Sequence, residues 1–168
     1  MTQIRAVALD VDGVLTDGAF WWGANGEEFK RFHFLDMMGI VRARRTGVVF
    51  TLISGEDSPL IARLAGKLGI DDVFTGCKDK ASALRAFSER TLIALEAVCF
   101  MGDDVNDLGA MSLAGVSAAP ANAHPVVLAR ASLVTTRAGG NGAVRELLDR
   151  LAESGRLTLA YDIPTRDR

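Results

Sequence analysis

The feature that most constrains the fold is a regular alternation of short apolar runs with segments of helical pattern. The runs are continuously apolar, which is typical of parallel strands buried on both faces. Strands alternating with helices predict a doubly wound, mostly parallel α/β sheet of Rossmann-like type, with its ligand site at the carboxyl ends of the strands. The predicted strands are Ile4–Leu9, Val48–Ile53, Asp72–Thr75, Ala97–Met101, Val116–Ala119 and Leu133–Thr136.

Three of the intervening helices have clear end signals. Asp57-Ser58-Pro59 opens one helix, because Asp or Ser can cap the first amides and proline lacks an N–H that would need a partner there. Asp79 precedes a second helix, Lys80–Ser88, in the same manner. Leucine and valine at helical spacing predict a third helix over Asn141–Ser154.

One segment, Gly18–Phe32, breaks the alternation. Its two aromatic-rich arms flank Asn25-Gly26, a signal for a two-residue hairpin turn. The hairpin follows the first strand directly and should project from the ligand-site edge of the sheet. Phe20, Trp21 and Trp22 are expected to pack in a subunit interface, because an isolated hairpin would expose them to water.

Length and charge exclude several classes of protein. The 168 residues predict a single domain over 1–168. A net charge of −2 gives no electrostatic case for nucleic acid or an anionic membrane as partner. No apolar stretch approaches the ~20 residues of a membrane span, so the expected location is the cytoplasm.

Polar clusters follow four of the predicted strands. Asp10–Asp17 follows the first strand and Ser54-Gly55 the second, Lys80 follows the third, and Gly102–Asp107 follows the fourth. Because parallel strands end at one edge of a sheet, these groups should converge there.

The converging groups suit phosphoryl transfer. Asp10 and Asp103 form a carboxylate pair for Mg²⁺, which prefers oxygen ligands, and Asp104 or Asp107 would support them. An ammonium and a hydroxyl, from Lys80 and Ser54, would stabilise the charge of the transferring phosphoryl group.

Asp12 lies two residues beyond Asp10 and could act as general acid on the leaving-group side. Taken singly, these residues also fit ordinary roles: a solvated Asp-x-Asp turn, a helix cap at Asp103-Asp104, or a surface lysine. The catalytic interpretation depends on all four clusters occurring together, each at a strand end.

The set DVDGVLTD, SG, K and GDDVND resembles the four motifs of the haloacid-dehalogenase superfamily, across residues 4 to about 150. The resemblance implies a Mg²⁺-dependent phosphatase in which Asp10 forms an aspartyl-phosphate. It implies that Asp12 protonates the leaving oxygen and then activates water, and that its backbone carbonyl is a Mg²⁺ ligand beside Asp10 and Asp103. Ser54 and Gly55 would bind the phosphate together with Lys80.

The intervals between these motifs leave no room for a cap domain. The chain therefore resembles the cap-less branch, in which the hairpin builds a homotetramer and a neighbouring subunit covers the site. Within this branch it is similar to phosphatases of 2-keto-3-deoxy sugar acids. Glu56 stands where octulosonate 8-phosphate phosphatases have arginine, and Glu56 with Lys67 resembles the nonulosonate 9-phosphate phosphatases. The favoured substrate is thus a nonulosonate (KDN or sialic-type) 9-phosphate, with 3-deoxy-D-manno-octulosonate 8-phosphate as the alternative; an ordinary solvated Glu56–Lys67 pair also fits.

Two alternatives from other classes share part of the pattern. A phospho-acceptor receiver has its paired acids near strand one, whereas here Asp103-Asp104 come late in the chain. A non-catalytic oligomerisation module would not need all four motifs intact.

Overall fold

The computed structural model describes residues 2–161 and contains eight strands and six α-helices within them. The strands are β1 Ala6–Leu9, β2 Trp21–Trp22, β3 Glu28–Phe29, β4 Val49–Ile53, β5 Asp72–Phe74, β6 Val98–Met101, β7 Val116–Ala119 and β8 Leu133–Val134. The helices are α1 Phe34–Arg44, α2 Pro59–Leu68, α3 Lys80–Thr91, α4 Leu108–Met111, α5 Pro125–Leu128 and α6 Ala143–Glu153.

Six strands form one parallel sheet in the order β5-β4-β1-β6-β7-β8, which confirms the predicted fold class. The side chains of β1 alternate between the two faces of this sheet. Val7 and Leu9 join a core with α1, α2 and α6, whereas Ala6 and Ala8 join a second core with α3, α4 and α5. Helices on both faces explain why the central strands are continuously apolar.

Two predicted helix caps are present, whereas the ends of some predicted strands and helices differ by a few residues. The Ser58 hydroxyl accepts the Leu60 N–H, and Asp79 accepts the Ser82 N–H. The predicted strand Leu133–Thr136 is too long, because the Thr136 amide leaves the sheet and donates to Glu146 on α6 at 2.8 Å. The predicted helix Asn141–Ser154 is also too long, since Gly142 has a left-handed backbone and caps α6.

The hairpin forms, but the predicted two-residue turn is wrong. Trp22 pairs with Glu28, and the Gly23 N–H donates to the Glu27 carbonyl at 2.8 Å. Three residues, Ala24, Asn25 and Gly26, therefore connect the arms. Gly26 has a φ of +87°, as expected for the left-handed residue that closes a three-residue hairpin loop.

The predicted domain extends beyond the residues that the structure describes. Met1 and residues 162–168 of the predicted domain lie outside the described residues. Between residues 2 and 161, no helix is long and apolar enough to cross a membrane.

Candidate active site

The four predicted polar clusters meet at one edge of the sheet. Asp10 follows β1, Ser54 follows β4, and Lys80 begins α3, while the acidic segment follows β6. They surround a cavity of about 170 Å³. Its lining residues are Asp10, Asp12, Phe20, Ser54, Gly55, Glu56, Lys80, Asp103, Asp104 and Asn106.

Three carboxylates and one ammonium form the centre of this site. Ligand atoms of Asp10, Asp103 and Asp107 all lie within 4.8 Å of one another. The Lys80 ammonium lies 2.9 Å from Asp10 Oδ1 and 2.6 Å from Asp107 Oδ1, with its side chain buried. When ionised, these four groups carry a formal charge of −2, which a divalent cation would neutralise.

Burial and the charges of neighbouring groups shift the pKa values of the residues in this cluster. Burial, followed by the adjacent Asp107 carboxylate, raises the pKa of Asp10 well above its ordinary value. The same two causes raise the pKa of Asp103 to about 6. Burial alone lowers the pKa of Lys80, but Asp10 and Asp107 outweigh that effect and leave the pKa raised. A nearby cation would favour the ionised form of these carboxyl groups, and all of their ligand atoms are oxygens. The cluster therefore fits a hard cation such as Mg²⁺.

Of the two predicted supporting acids, Asp107 is the one that joins the carboxylate cluster. Its Oδ2 accepts the backbone N–H groups of Asp103 and Asp104 at 3.0 and 3.2 Å. It thereby holds the turn that presents Asp103. Asp104 lines the cavity, but its own carboxylate accepts the Val105 N–H at 2.7 Å, as a cap does.

Ser54 is held by two hydrogen bonds at the end of β4. Its N–H donates to the Phe74 carbonyl at 2.8 Å, and its Oγ accepts the Glu56 N–H at 3.1 Å. Ser54 is buried, whereas Gly55 is half-buried and Glu56 is exposed.

Asp12 has partners that the sequence analysis missed. Asp12 Oδ1 accepts from the Lys30 ammonium at 2.6 Å and from the Thr16 hydroxyl at 3.3 Å. Thr16 is part of the DVDGVLTD motif and could have been found there. Lys30 belongs to the hairpin, eighteen residues further along the chain, and no periodic pattern connects it with Asp12.

A close approach of two glycines shapes the loop after β1. A Cβ on Gly13 would lie 2.0 Å from Asp103 Oδ2, and the residue has a φ of +93°. A Cβ on Gly139 would lie 1.8 Å from the Gly13 carbonyl oxygen. The glycine-rich segment before α6 thus packs directly on the backbone of the loop after β1.

The two predicted specificity residues lie apart. Glu56 lies in the loop before α2, not at its start, and lines the active-site cavity. Lys67 lies in α2 and lines a different cavity of about 390 Å³, together with Lys30 and Arg63. Within one subunit, Glu56 and Lys67 therefore do not line the same cavity.

Comparison with known proteins now places the chain. A model of the haloacid dehalogenase-like hydrolases matches residues 61–147, which include Lys80, Asp103 and Asp107. The chain belongs to the haloacid dehalogenase-like hydrolases.

Relatives of this hydrolase include 3-deoxy-D-manno-octulosonate 8-phosphate phosphatases. The protein from Escherichia coli strain K12 is 42% identical over 149 residues, covering 89% of this chain and 79% of the relative. The Moraxella catarrhalis phosphatase, solved with magnesium, phosphate and a KDO molecule, superimposes with a TM-score of 0.87 at 34% identity, covering 90% and 87% of the two chains. The cobalt-bound phosphatase from Haemophilus influenzae superimposes with a TM-score of 0.87 at 37% sequence identity, covering 91% of this chain and 90% of that structure.

These comparisons confirm that this hydrolase is a phosphatase and that Mg²⁺ is its cofactor. They favour that activity over the receiver and the non-catalytic module. For the substrate, the similar proteins are octulosonate phosphatases, so the predicted preference for a nonulosonate is not confirmed and the alternative fits better.

Proposed function

We propose that this phosphatase hydrolyses 3-deoxy-D-manno-octulosonate 8-phosphate, releasing the 2-keto-3-deoxy sugar acid and inorganic phosphate. The observation that carries the chemistry is the buried Asp10, ion-paired to Lys80 and adjacent to Asp103 at the strand ends. Support for this particular sugar acid comes from the Escherichia coli relative, which is named as a phosphatase of this compound. The similarity between the two proteins covers 89% of this chain.

Asp10 is the proposed nucleophile. Its carboxylate attacks phosphorus while the bond to the sugar oxygen breaks, and Asp12 gives that oxygen a proton. The aspartyl-phosphate is then hydrolysed by a water whose proton Asp12 takes. The bond between phosphorus and Asp10 breaks in this step, which restores the carboxylate and frees phosphate.

The remaining residues hold the phosphoryl group. The Lys80 ammonium and the Ser54 hydroxyl, with Gly55 beside them, line the cavity on the side of α3 and β4. They are suited to stabilise the charge of the phosphoryl oxygens. The carboxylates of Asp10 and Asp103 and the backbone carbonyl of Asp12 would hold Mg²⁺, whose charge offsets the repulsion between substrate and nucleophile.

A homotetramer is the proposed assembly. The hairpin aromatics Phe20, Trp21, Trp22 and Phe29 are each more than half exposed in the single chain. Burying them against other copies removes apolar surface from water. A neighbouring subunit would also cover the open cavity and could bring a Lys67 to the carboxylate of the sugar acid.

A nonulosonate 9-phosphate is the second candidate substrate. The specific observation in its favour is Glu56, a carboxylate lining the active-site cavity where arginine would bind an anion. Glu56 can accept hydrogen bonds from sugar hydroxyls but would repel the substrate carboxylate.

The test compares kcat/KM for the two sugar acid phosphates with purified protein and Mg²⁺. Asp10→Asn, which should lose about 10⁴-fold or more of the activity, serves as the blank. A preference for the octulosonate is expected. A nonulosonate preference that Glu56→Ala abolishes would favour the second candidate, and failure to hydrolyse either compound would contradict the proposed substrate class.

A further inference from the structure

The hairpin residue Lys30 is buried against the residue proposed as general acid and base. Only 3% of its side chain is exposed, and its ammonium lies 2.6 Å from Asp12 Oδ1 and 3.4 Å from Glu28 Oε1. The ammonium also lies 5.4 Å from the centre of the Phe20 ring. Two carboxylates therefore surround the ammonium, and Lys30 is placed as an ion-pair partner of Asp12.

The two oxygens of Asp12 have different surroundings. Oδ1 accepts from Lys30 and from the Thr16 hydroxyl. The Thr16 oxygen already accepts the N–H groups of Gly13 and Gly18 at 3.3 and 3.2 Å, so its own hydrogen is free to be donated to Asp12. Oδ2 is buried and, among residues 2–161, has no hydrogen-bond partner.

The chemistry of these donors makes Oδ1 the anchored oxygen of Asp12. A charged lysine has three N–H donors and no acceptor, so Lys30 can only donate to Oδ1. Thr16 donates to the same oxygen. Two donors are therefore aimed at Oδ1, and together they fix the rotation of the carboxyl group.

Lys30 is itself anchored to the body of the protein. Glu28, which precedes it in the hairpin, accepts the Ser58 hydroxyl at 3.2 Å, and Ser58 is the cap of α2. The ammonium is thus held between the loop after β1 and the start of α2, so it can fix the Asp12 carboxylate through a short, partly buried ion pair.

We propose that Lys30 is a positioning residue that fixes the Asp12 carboxyl group through Oδ1, in the orientation from which it gives a proton to the leaving oxygen and later takes one from water. This inference rests on the proposed function of Asp12. It predicts that removing Lys30 impairs proton transfer more than it impairs binding or folding.

The test uses phenyl phosphate and p-nitrophenyl phosphate, which are similar in shape and have no sugar groups for Lys30 to contact. Phenol is the poorer leaving group and needs the proton more. The value of kcat/KM reports the steps up to leaving-group departure. Lys30→Met should lower it about 10²-fold for phenyl phosphate and much less for p-nitrophenyl phosphate, and Lys30→Arg should restore part of the loss.

Two controls separate the possible failures. Arg31→Met removes the neighbouring hairpin cation, whose pair with Asp17 is exposed, and should leave the ratio of the two kcat/KM values unchanged. Asp12→Asn should show the selective loss itself; if it does not, the proposed role of Asp12 fails. If Asp12→Asn shows the loss but Lys30→Met lowers both substrates equally, or raises only KM, the inference for Lys30 is overturned.

Discussion

At the scale of single residues, Gly13 controls how closely Asp103 approaches the loop after β1. A Cβ there would lie 2.0 Å from Asp103 Oδ2, so that carboxylate would have to move. We expect Gly13→Ala to lower kcat/KM about 10²-fold, the scale of a misplaced catalytic group. The measurement is the steady-state rate on the preferred sugar acid phosphate.

Gly26→Ala is the matched control for Gly13→Ala. Gly26 has a φ of +87°, close to the +93° of Gly13, but nothing lies within 4 Å of its Cβ position. Both variants bear the backbone strain of about 1 kcal/mol, and only Gly13→Ala disturbs the carboxylates. An equal loss of activity in both would contradict the assigned role of Gly13.

Asp103 couples the metal site to stability. Its folded-state pKa of about 6 lies above its ordinary value of 3.8, so ionising it costs the folded state more than the unfolded chain. Without metal, this penalty is absent below pH 3.8, grows with rising pH and is complete above about pH 6. Metal-free Asp103→Asn should therefore be more stable than the wild type at pH 8, by about 1 kcal/mol after allowing for solvent screening.

Thermal melting with and without Mg²⁺ at pH 5 and pH 8 measures this effect. The advantage of Asp103→Asn should shrink at pH 5, and Mg²⁺ should raise the Tm of the wild type much more than that of the variant. Asp104→Asn is the control, since the Asp104 carboxylate is exposed and caps its own turn. The same pH dependence in Asp104→Asn would contradict the assignment.

At the scale of elements, Asp36 joins α1 to the start of α6. Its carboxylate accepts the Gly142 N–H at 3.2 Å and the Arg145 N–H at 2.7 Å, and the side chain is buried. Since α6 follows the glycines that pack on the loop after β1, this contact also supports the candidate active site. We expect Asp36→Ala to lower the free energy of unfolding by about 1–3 kcal/mol, because two helix N–H groups lose their partner.

Urea unfolding followed by circular dichroism measures that loss. Asp149→Ala is the control, because Asp149 also contacts Arg145 but through a partly exposed ion pair at 2.8 Å. Its removal should cost about 0.5 kcal/mol. If Asp36→Ala costs no more than Asp149→Ala, the carboxylate of Asp36 does not hold α6.

At the scale of the whole molecule, the exposed hairpin aromatics determine the expected assembly. Light scattering on the wild type at micromolar concentration should give the mass of a tetramer. Replacing Trp21 and Trp22 with serine should give smaller species and a large loss of activity, because the cavity would stay open to water. Leu92→Ser, at an apolar residue 85% exposed outside the hairpin, should leave the mass unchanged. A monomeric, active wild type would exclude the tetramer.

Local pattern in the sequence was sufficient for the sheet and for most of the site. Apolar runs and caps predicted six parallel strands, and the polar residues after them predicted Asp10, Ser54, Lys80 and Asp103 at one edge. The physical reason is that all strands of a parallel sheet end on the same side, so a residue's place after its strand already locates it. Helix and strand ends were predicted less well, as at Thr136, where a side chain of α6 competes with the sheet for a backbone N–H.

Contacts between segments distant in the chain were decided only by the tertiary structure. The pairing of Lys30 with Asp12, the contact of Asp36 with the start of α6 and the approach of Asp107 to Lys80 and Asp10 all depend on where two elements meet. Single-residue patterns do not encode such meetings, because each partner alone looks like an ordinary polar residue. The same reason limits the prediction of substrate: Glu56 and Lys67 were predicted as specificity residues from a family resemblance, and folding places them in separate cavities of one subunit.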